Sequence, residues 1–378
     1  MNAKLQQGLA GGPAASGMRL PGRVLVVQPL QGIGDMIWHL PHLTAVASHT
    51  ETGRFTLLAK PSSRADELLE GMPSIERIIW LDRRPRGGKR NFWVTGLLRL
   101  AGSLRREQFD SALILHHSET LALVLRLAGI RNRFGYGHGF QRLFLNRPPY
   151  LRGAEHKLRP SEQADTYCAA AGWRLESAEA LLKVGDAARR RVAERLAGRA
   201  GPLVAIGVGS SEPYKQWGEP RYAELIAALH DAGWPLLAVI GGAPEAGMIE
   251  RLAAGCAAVV PVIDWPLGEV CALLDRATFY VGNDTGVLNL AAALARRSYG
   301  LFGASPPLLH SPYIVALTPP GGPVDRGDGM GSFTLAAVLE AIARDRGTIA
   351  PLADREFLVH RASCASTSGR DVPVCPSE

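Results

Sequence analysis

The stretch "PLVAIGVGSSEPYKQWGEPRYAELIAALHDAGWPLLAVIGG", Pro202 to Gly242, decides the fold. "PLVAIGVG" is a short apolar, β-rich run that ends in glycines. "EPRYAELIAALHDAG" follows with the pattern of a helix, and "WPLLAVIGG" is a second apolar run ending in a glycine pair. Short β-rich runs separated by helical patterns of ten or more residues mean βαβ units and a parallel sheet.

The alternation extends in both directions from this stretch. Upstream, "RVLVVQ" (Arg23 to Gln28), "RFTLLA" (Arg54 to Ala59), "ERIIWL" and "FDSALIL" read as strands. Between and after them, "DMIWHLPHLTAVASH", "SSRADELLEG", "NFWVTGLLRLAGSLRRE", "SETLALVLRLAG" and "SEQADTYCAAAGW" read as helices. Downstream, "PEAGMIERLAAG" and "GEVCALLDRA" read as helices, "TFYVGN" as a strand and "RSYGLFG" as the run after it. A Pro-rich loop through Pro323 and a last helix, "FTLAAVLEAIARD", follow. The chain of 378 residues exceeds what one core usually holds, so two α/β domains are expected. The expected division is a disordered leader over 1–20, one domain over 21–182, a connection over 183–201, a second domain over 202–346 and a tail over 347–378. Each domain is expected to be an open, doubly wound parallel sheet that binds ligands at the carboxyl ends of its strands, with a cleft where two such domains face each other.

Charge is unevenly placed. The formal net charge is +7, from 42 basic against 35 acidic residues. Met1 to Ala180 holds 24 Lys/Arg and 15 Asp/Glu, a difference of +9, and the remainder holds 18 and 20, a difference of −2. The positive field of the first half suits an anionic partner. Solvated surface arginines account for the charge alone equally well. Aromatic residues are 7% of the chain and are not interleaved with the basic loops, which argues against a nucleic-acid partner. The five cysteines, Cys168, Cys256, Cys271, Cys364 and Cys375, form no CxxC pair and no zinc spacing, so no metal is expected. The N-terminal "MNAKLQQGLAGGPAASGMRLPG" lacks the apolar core of a signal peptide, and no apolar run approaches a membrane span. A cytoplasmic protein, able to lie on a membrane surface, is expected.

Four strand ends carry glycine and candidate chemistry. In "VVQPLQGIGDMIW", Gly32 and Gly34 form G-x-G, but Ile37 stands where a dinucleotide fingerprint needs its third glycine. Asp35 at the mouth of the helix either caps it or serves as a carboxylate able to take a proton from a hydroxyl. In "IGVGSSEPYKQW", small residues, the hydroxyls of Ser210 and Ser211, and Lys215 suit a phosphate group. Glu245 after Gly241-Gly242 starts a helix, and a favourable first-turn acid explains it adequately. In "VGNDTGVLNLAAALA", Val281 to Ala295, Asp284 is expected to cap a helix beginning near Thr285. Thr285 and Gly286 then offer unpaired backbone N–H groups to a diphosphate, with Asp284 turned to a ribose or sugar hydroxyl.

Taken together and in this order, "GIGDMIWHLP", "GSSEPYKQW" and "VGNDTGVLNLAAAL…LFGASPP", with the closing "MGSFTLAAVLEAI", resemble glycosyltransferase family 9, the ADP-heptose:lipopolysaccharide heptosyltransferases. The resemblance covers most of Arg23 to about Asp345. It implies a GT-B fold, with two Rossmann-like domains around a cleft, the nucleotide sugar on the C-terminal one and the acceptor on the N-terminal one. It implies an inverting, metal-independent transfer with no cofactor beyond the nucleotide-sugar co-substrate. It makes Asp35 the general base and Ser210, Ser211 and Lys215 the diphosphate holders. Asp284, Thr285 and Gly286 complete the donor site, with Glu245 and Asn289 as further donor candidates. Asn289 stands where the family commonly has His, and the first loop lacks the family's usual Arg and paired serines.

Acceptor candidates on the first half are Gly34, Lys60, Arg64, His116, Arg133, His138 and Arg142, with His117 and the basic loop "RRPRGGKR" beside them. They suit an anionic, lipid-linked glycan at the inner face of a membrane. Two alternatives stand beside heptosyl transfer: the same fold using another nucleotide sugar on a different surface polysaccharide, and a non-catalytic sugar-nucleotide-binding protein.

Overall fold

A computed structural model describes residues 17–81, 92–175, 182–210, 212–305, 307, 311–323 and 327–345. The expected tail over 347–378 with Cys364 and Cys375, the basic loop over 83–90, and Ser211 lie outside the described residues. The chain forms two compact units, one from Met1–Ala65 and Met72–Ala178 and one from Asp66–Gly71 and Glu179–Glu378.

The first unit runs β1 (Val24–Gln28), α1 (Ile33–Trp38), α2 (Leu40–Ser48), β2 (Phe55–Ala59), α3 (Ala65–Leu68), β3 (Ile75–Trp80), α4 (Phe92–Arg106), β4 (Ser111–Ile114), α5 (Glu119–Leu127), β5 (Asn132–Gly135) and α6 (Pro160–Ala170). Of these, α3 straddles the division between the units. The sheet order is β3-β2-β1-β4-β5, and every pairing is parallel. β1, β2 and β4 are buried at every position, as a sheet covered on both faces requires. The single helix expected over "DMIWHLPHLTAVASH" is two, α1 and α2, broken at His39 just ahead of Pro41. The leader expected over 1–20 does not reach Leu20: its side chain is fully buried, it bridges Thr50, and the Met18 N–H donates to the Ala171 carbonyl.

The second unit runs α7 (Asp186–Arg195), β6 (Leu203–Gly207), α8 (Glu219–Asp231), β7 (Leu236–Gly241), α9 (Ala246–Gly255), β8 (Val259–Ile263), α10 (Leu267–Arg276), β9 (Phe279–Asn283), α11 (Gly286–Ala293), β10 (Arg297–Leu301), β11 (Ile314–Leu317) and α12 (Leu335–Arg344). Its sheet order is β11-β10-β9-β6-β7-β8, again all parallel. The basic helix α7, expected as a connection, belongs to this unit. Arg191 and Arg195 reach the buried Glu269 of α10 at 2.9 and 2.7 Å, and the Arg195 guanidinium lies 4.5 Å from the centre of the Trp265 ring. Those two arginines supply the partners without which a buried carboxylate is costly. The segment Asp66–Gly71 also falls in this unit: the Glu67 carboxylate accepts the Leu267 N–H at the start of α10, 2.5 Å away. Among the described residues no helix is long and apolar enough to cross a membrane.

Candidate active site

In each sheet the chain reverses direction beside its first strand. β1 lies between β2 and β4, and β6 lies between β7 and β9. Loops that leave the carboxyl ends of two such neighbours diverge and open a crevice, the usual ligand position of a doubly wound sheet.

In the second unit the crevice is bounded by the loop after β6 and the turn after β9. Gly207 pairs with Gly282. A side chain at either position would collide with the Tyr280 hydroxyl, so both glycines are required for the strand ends to close on that ring. Asn283, fully buried, ties the two loops together. Its amide donates to the Val208 and Gly209 carbonyls at 3.1 and 3.3 Å, and its Oδ1 accepts the Tyr222 hydroxyl at 2.8 Å.

Thr285 is the N-cap of α11 in extended conformation, with no side-chain cap bond. The first-turn N–H groups of α11 therefore have no capping side chain, the electrostatic condition for holding an anion. The expected Asp284 cap does not form. Its carboxylate accepts from the Ser305 hydroxyl at 2.7 Å and from the Lys215 ammonium at 3.4 Å. Lys215 also pairs with Glu212 at 2.9 Å. Partial burial opposes the Lys215 charge, but Glu212 and Asp284 outweigh it and raise the pKa. The ammonium thus lies between two carboxylates beside this crevice.

The Ser210 hydroxyl is turned into its own loop, donating to the Glu212 carbonyl and accepting the Glu212 N–H at 3.0 and 3.2 Å. Glu245 is buried, accepts the Gly242 N–H at 3.0 Å and lies 3.5 Å from the Gln216 amide. Asn289, in the first turn of α11, is 8% exposed, and its buried Oδ1 meets no donor among the described residues.

In the first unit, Asp35 stands on the third residue of α1 after β1. Its Oδ2 accepts the Gly32 N–H at 3.2 Å, so the carboxylate does cap its own short helix. A side chain at Gly32 would come within 3.0 Å of that oxygen. From below, His39 Nδ1 donates to the Asp35 carbonyl at 2.7 Å, and the Gln28 amide reaches the same oxygen at 3.5 Å. His39 is 1% exposed; burial and the nearby His42 lower its pKa to about 4. It is therefore neutral, with the proton on Nδ1. His42 Nε2 pairs with Asp165 Oδ1 at 2.8 Å.

The remaining acceptor candidates are spread along the same edge. Gly34 lies within α1, Lys60 and Arg64 follow β2, His116 follows β4, and His138 and Arg142 follow β5. His116 stacks on His117 with ring centres 4.1 Å apart, and its proximity is a minor cause of the lowered His39 pKa. His138 is held below the ordinary imidazole pKa, by partial burial first and His156 second. Arg133 lies within β5, its guanidinium donating to the Phe144 and Ile130 carbonyls. Arg142 lies over the Tyr150 ring, 3.5 Å from its centre.

Residues 97–319 match the model of glycosyltransferase family 9 (heptosyltransferase). The chain belongs to that family. It is 24% identical over 302 residues to lipopolysaccharide heptosyltransferase 1 of Escherichia coli K12, covering 77% of this chain and 91% of the relative. It is 26% identical over 331 residues to lipopolysaccharide heptosyltransferase 2 of the same strain, covering 81% and 91%. Among solved structures, E. coli ADP-heptose lps heptosyltransferase II matches with a TM-score of 0.67 and 20% identity over 90% of this chain and 99% of that one. E. coli heptosyltransferase WaaC with ADP-2-deoxy-2-fluoro heptose matches with a TM-score of 0.67 and 21% identity, over 86% and 100%. These matches identify the two doubly wound units as those of the GT-B fold, and the chain is a glycosyltransferase.

Several groups that shape the enzyme's two crevices were not singled out by sequence reasoning. Asn283 and Ser305 lie inside quoted motifs, but only the tertiary structure shows Asn283 bridging to Val208 and Ser305 reaching Asp284. Tyr222 looks like one more apolar position of α8, and its buried hydroxyl is what holds Asn283. His39 and His42 lie in "WHLPH", where spacing alone gives no reason to separate a neutral buried histidine from a surface one.

Proposed function

We propose that this enzyme transfers heptose from ADP-heptose to a lipopolysaccharide core acceptor, with inversion at the anomeric carbon and without a metal. The observation that carries the donor assignment is the convergence, at the β6/β9 crevice, of the uncapped start of α11 with Lys215. The donor enters through its diphosphate, which competes with Asp284 and Glu212 for Lys215 and takes the α11 N–H groups. Asp284, released from the ammonium, keeps Ser305 and turns to a sugar or ribose hydroxyl. Asp35 accepts the proton of the acceptor hydroxyl as its oxygen attacks the anomeric carbon. The bond from that carbon to the phosphate oxygen breaks on the opposite face, and ADP leaves with the electron pair. Lys215 and the helix terminus carry the charge that develops on the phosphate, the role a metal otherwise fills.

The relatives' names supply the sugar and acceptor classes. The basic first half suits an anionic glycan presented at a membrane surface. A different nucleotide sugar is the second reading. Asn289 favours it, because an uncharged amide with an open acceptor oxygen stands in the first turn of α11, where the family commonly has His.

The test is calorimetric binding of ADP, GDP, UDP and dTDP without added metal. Selective ADP binding supports the heptose donor. Selectivity for another base moves the enzyme to another glycan, and binding of none overturns the donor site.

A further inference from the structure

Phe140 and Leu143 are the most exposed large apolar side chains among the described residues, at 68% and 63%. Both belong to the 3₁₀ turn Gly139–Leu143 that follows β5. In a 3₁₀ turn residues three apart eclipse, so the two side chains project together. Leu127, at the end of α5, is a third exposed apolar residue at 43%. The Arg126 guanidinium beside it donates to the Leu143 carbonyl at 3.2 Å, which brings the end of α5 against the turn.

The turn is firmly built. Gln141 between the two apolar residues is fully buried: its Oε1 accepts the Gly137 N–H at 2.7 Å, and its amide donates to the His116 carbonyl at 2.8 Å. The Phe140 N–H donates to Glu119 at 2.9 Å, Arg133 holds the Phe144 carbonyl, and Leu145 is packed in the core of the unit. A turn anchored this way, yet presenting a Phe and a Leu to solvent, exposes them at a cost that local folding does not demand.

The chain on either side of the pair is basic. From Thr120 to Ala154 the sequence has six arginines and no Asp, Glu or Lys. Of these, Arg126, Arg131, Arg142 and Arg147 are exposed: Arg126 bonds the turn's Leu143 carbonyl, Arg142 lies within the turn, and Arg131 and Arg147 lie on the flanking segments that Asn132 and Asn146 tie together. Glu119, at the first turn of α5, is an acid that meets this surface. An apolar tip flanked by exposed arginines fits the headgroup boundary of an anionic bilayer, the apolar pair entering the acyl edge and the arginines meeting lipid phosphates.

We propose that the turn Gly139–Leu143, with Leu127 and the exposed arginines Arg126, Arg131, Arg142 and Arg147, is the surface by which the first unit docks on an anionic phospholipid membrane. The inference deepens the reading of a lipid-linked acceptor by naming where the enzyme meets the membrane, and it stands on its own observations.

The experiment is flotation of the full chain with vesicles of phosphatidylglycerol and phosphatidylcholine, compared with phosphatidylcholine alone, at low and high salt. The expected result is association with the anionic vesicles that weakens as salt rises. Phe140→Ser with Leu143→Ser is expected to weaken partition by roughly tenfold or more, since each buried apolar side chain is worth about tenfold. ADP binding to the same variant, which reads the second unit, is expected to be unchanged. Absence of wild-type flotation, or equal flotation of the variant, overturns the docking surface even if ADP binds. A wild-type dimer that the variant reduces to a monomer also overturns it, by assigning the patch to contact between copies. Loss of ADP binding in the wild type would overturn the donor assignment and leave the flotation result independent.

Discussion

His39 makes the first unit acid-sensitive. Its pKa is lowered to about 4 from the ordinary imidazole value of 6.5, chiefly because burial penalises the imidazolium and His42 adds to the penalty. Between those two values the unfolded chain binds a proton that the folded chain refuses, so folding stability falls as pH falls through this window. The contribution is fully present above the unfolded pKa and is lost as pH approaches 4. Its full size is about 3 kcal/mol, and between pH 7 and pH 5 the loss is about 2 kcal/mol. His39→Gln keeps an amide donor for the Asp35 carbonyl and removes the titration. The variant is expected to be less stable than the wild type at pH 7, through imperfect packing. Its loss of stability from pH 7 to pH 5 is expected to be smaller by about 2 kcal/mol. Urea unfolding at both pH values, read by hydrogen exchange of the β1 and α2 amides, confines the measurement to the first unit. Equal pH slopes in the two proteins would refute the assignment of a buried neutral histidine beneath Asp35. A steeper slope in the variant would do the same.

Three further outcomes follow from the two crevices. Asp35→Asn retains an oxygen for the Gly32 N–H, so the fold and nucleotide binding persist while transfer falls by about 10²-fold or more; undiminished turnover would remove Asp35 from the chemistry. Lys215→Ala removes one charge-assisted contact and is expected to weaken nucleoside diphosphate binding by about 10- to 100-fold in calorimetry, and unchanged affinity would place the diphosphate elsewhere. Asn283→Ala takes the amide donor from the Val208 carbonyl and leaves the Tyr222 hydroxyl only the Gly207 carbonyl, at a cost of about 1–3 kcal/mol in urea unfolding, and slackens both donor loops. A variant that is fully stable and binds nucleotide normally would show that Asn283 does not position them.

Most of the α/β alternation was legible because a parallel sheet covered on both faces writes its central strands as apolar runs. β1, β2, β4, β6, β7 and β9 were found this way, and the edge strand β3 through its "ERIIWL" run, while β10 read only as an apolar run after β9. The three strands that were missed, β5, β8 and β11, are all sheet edges. β5 carries Arg133, β8 has Pro261 at its centre, and β11 is only half-buried and lies in what reads as a Pro-rich loop. An edge strand is held by one neighbour and need not be apolar, so pattern reveals it only where, as in β3, an apolar run happens to remain. The basic helix α7 reads as a linker because its arginines look solvated, and only the fold brings Arg191 and Arg195 to the buried Glu269.

The candidate site divides in the same way. By itself the sequence determined where glycine turns end strands, and so where backbone N–H groups and the side chains of Asp35, Lys215 and Thr285 lie along the chain. Those are local consequences of residue type, set within one turn. Only the tertiary structure decided that Asp284 serves Lys215 and Ser305 instead of its own helix, that Asn283 joins two strand ends, and that His39 is neutral. Each of these depends on groups distant in the chain meeting at short range in a dry interior, where hydrogen bonds and charge are set by neighbours that no local pattern encodes.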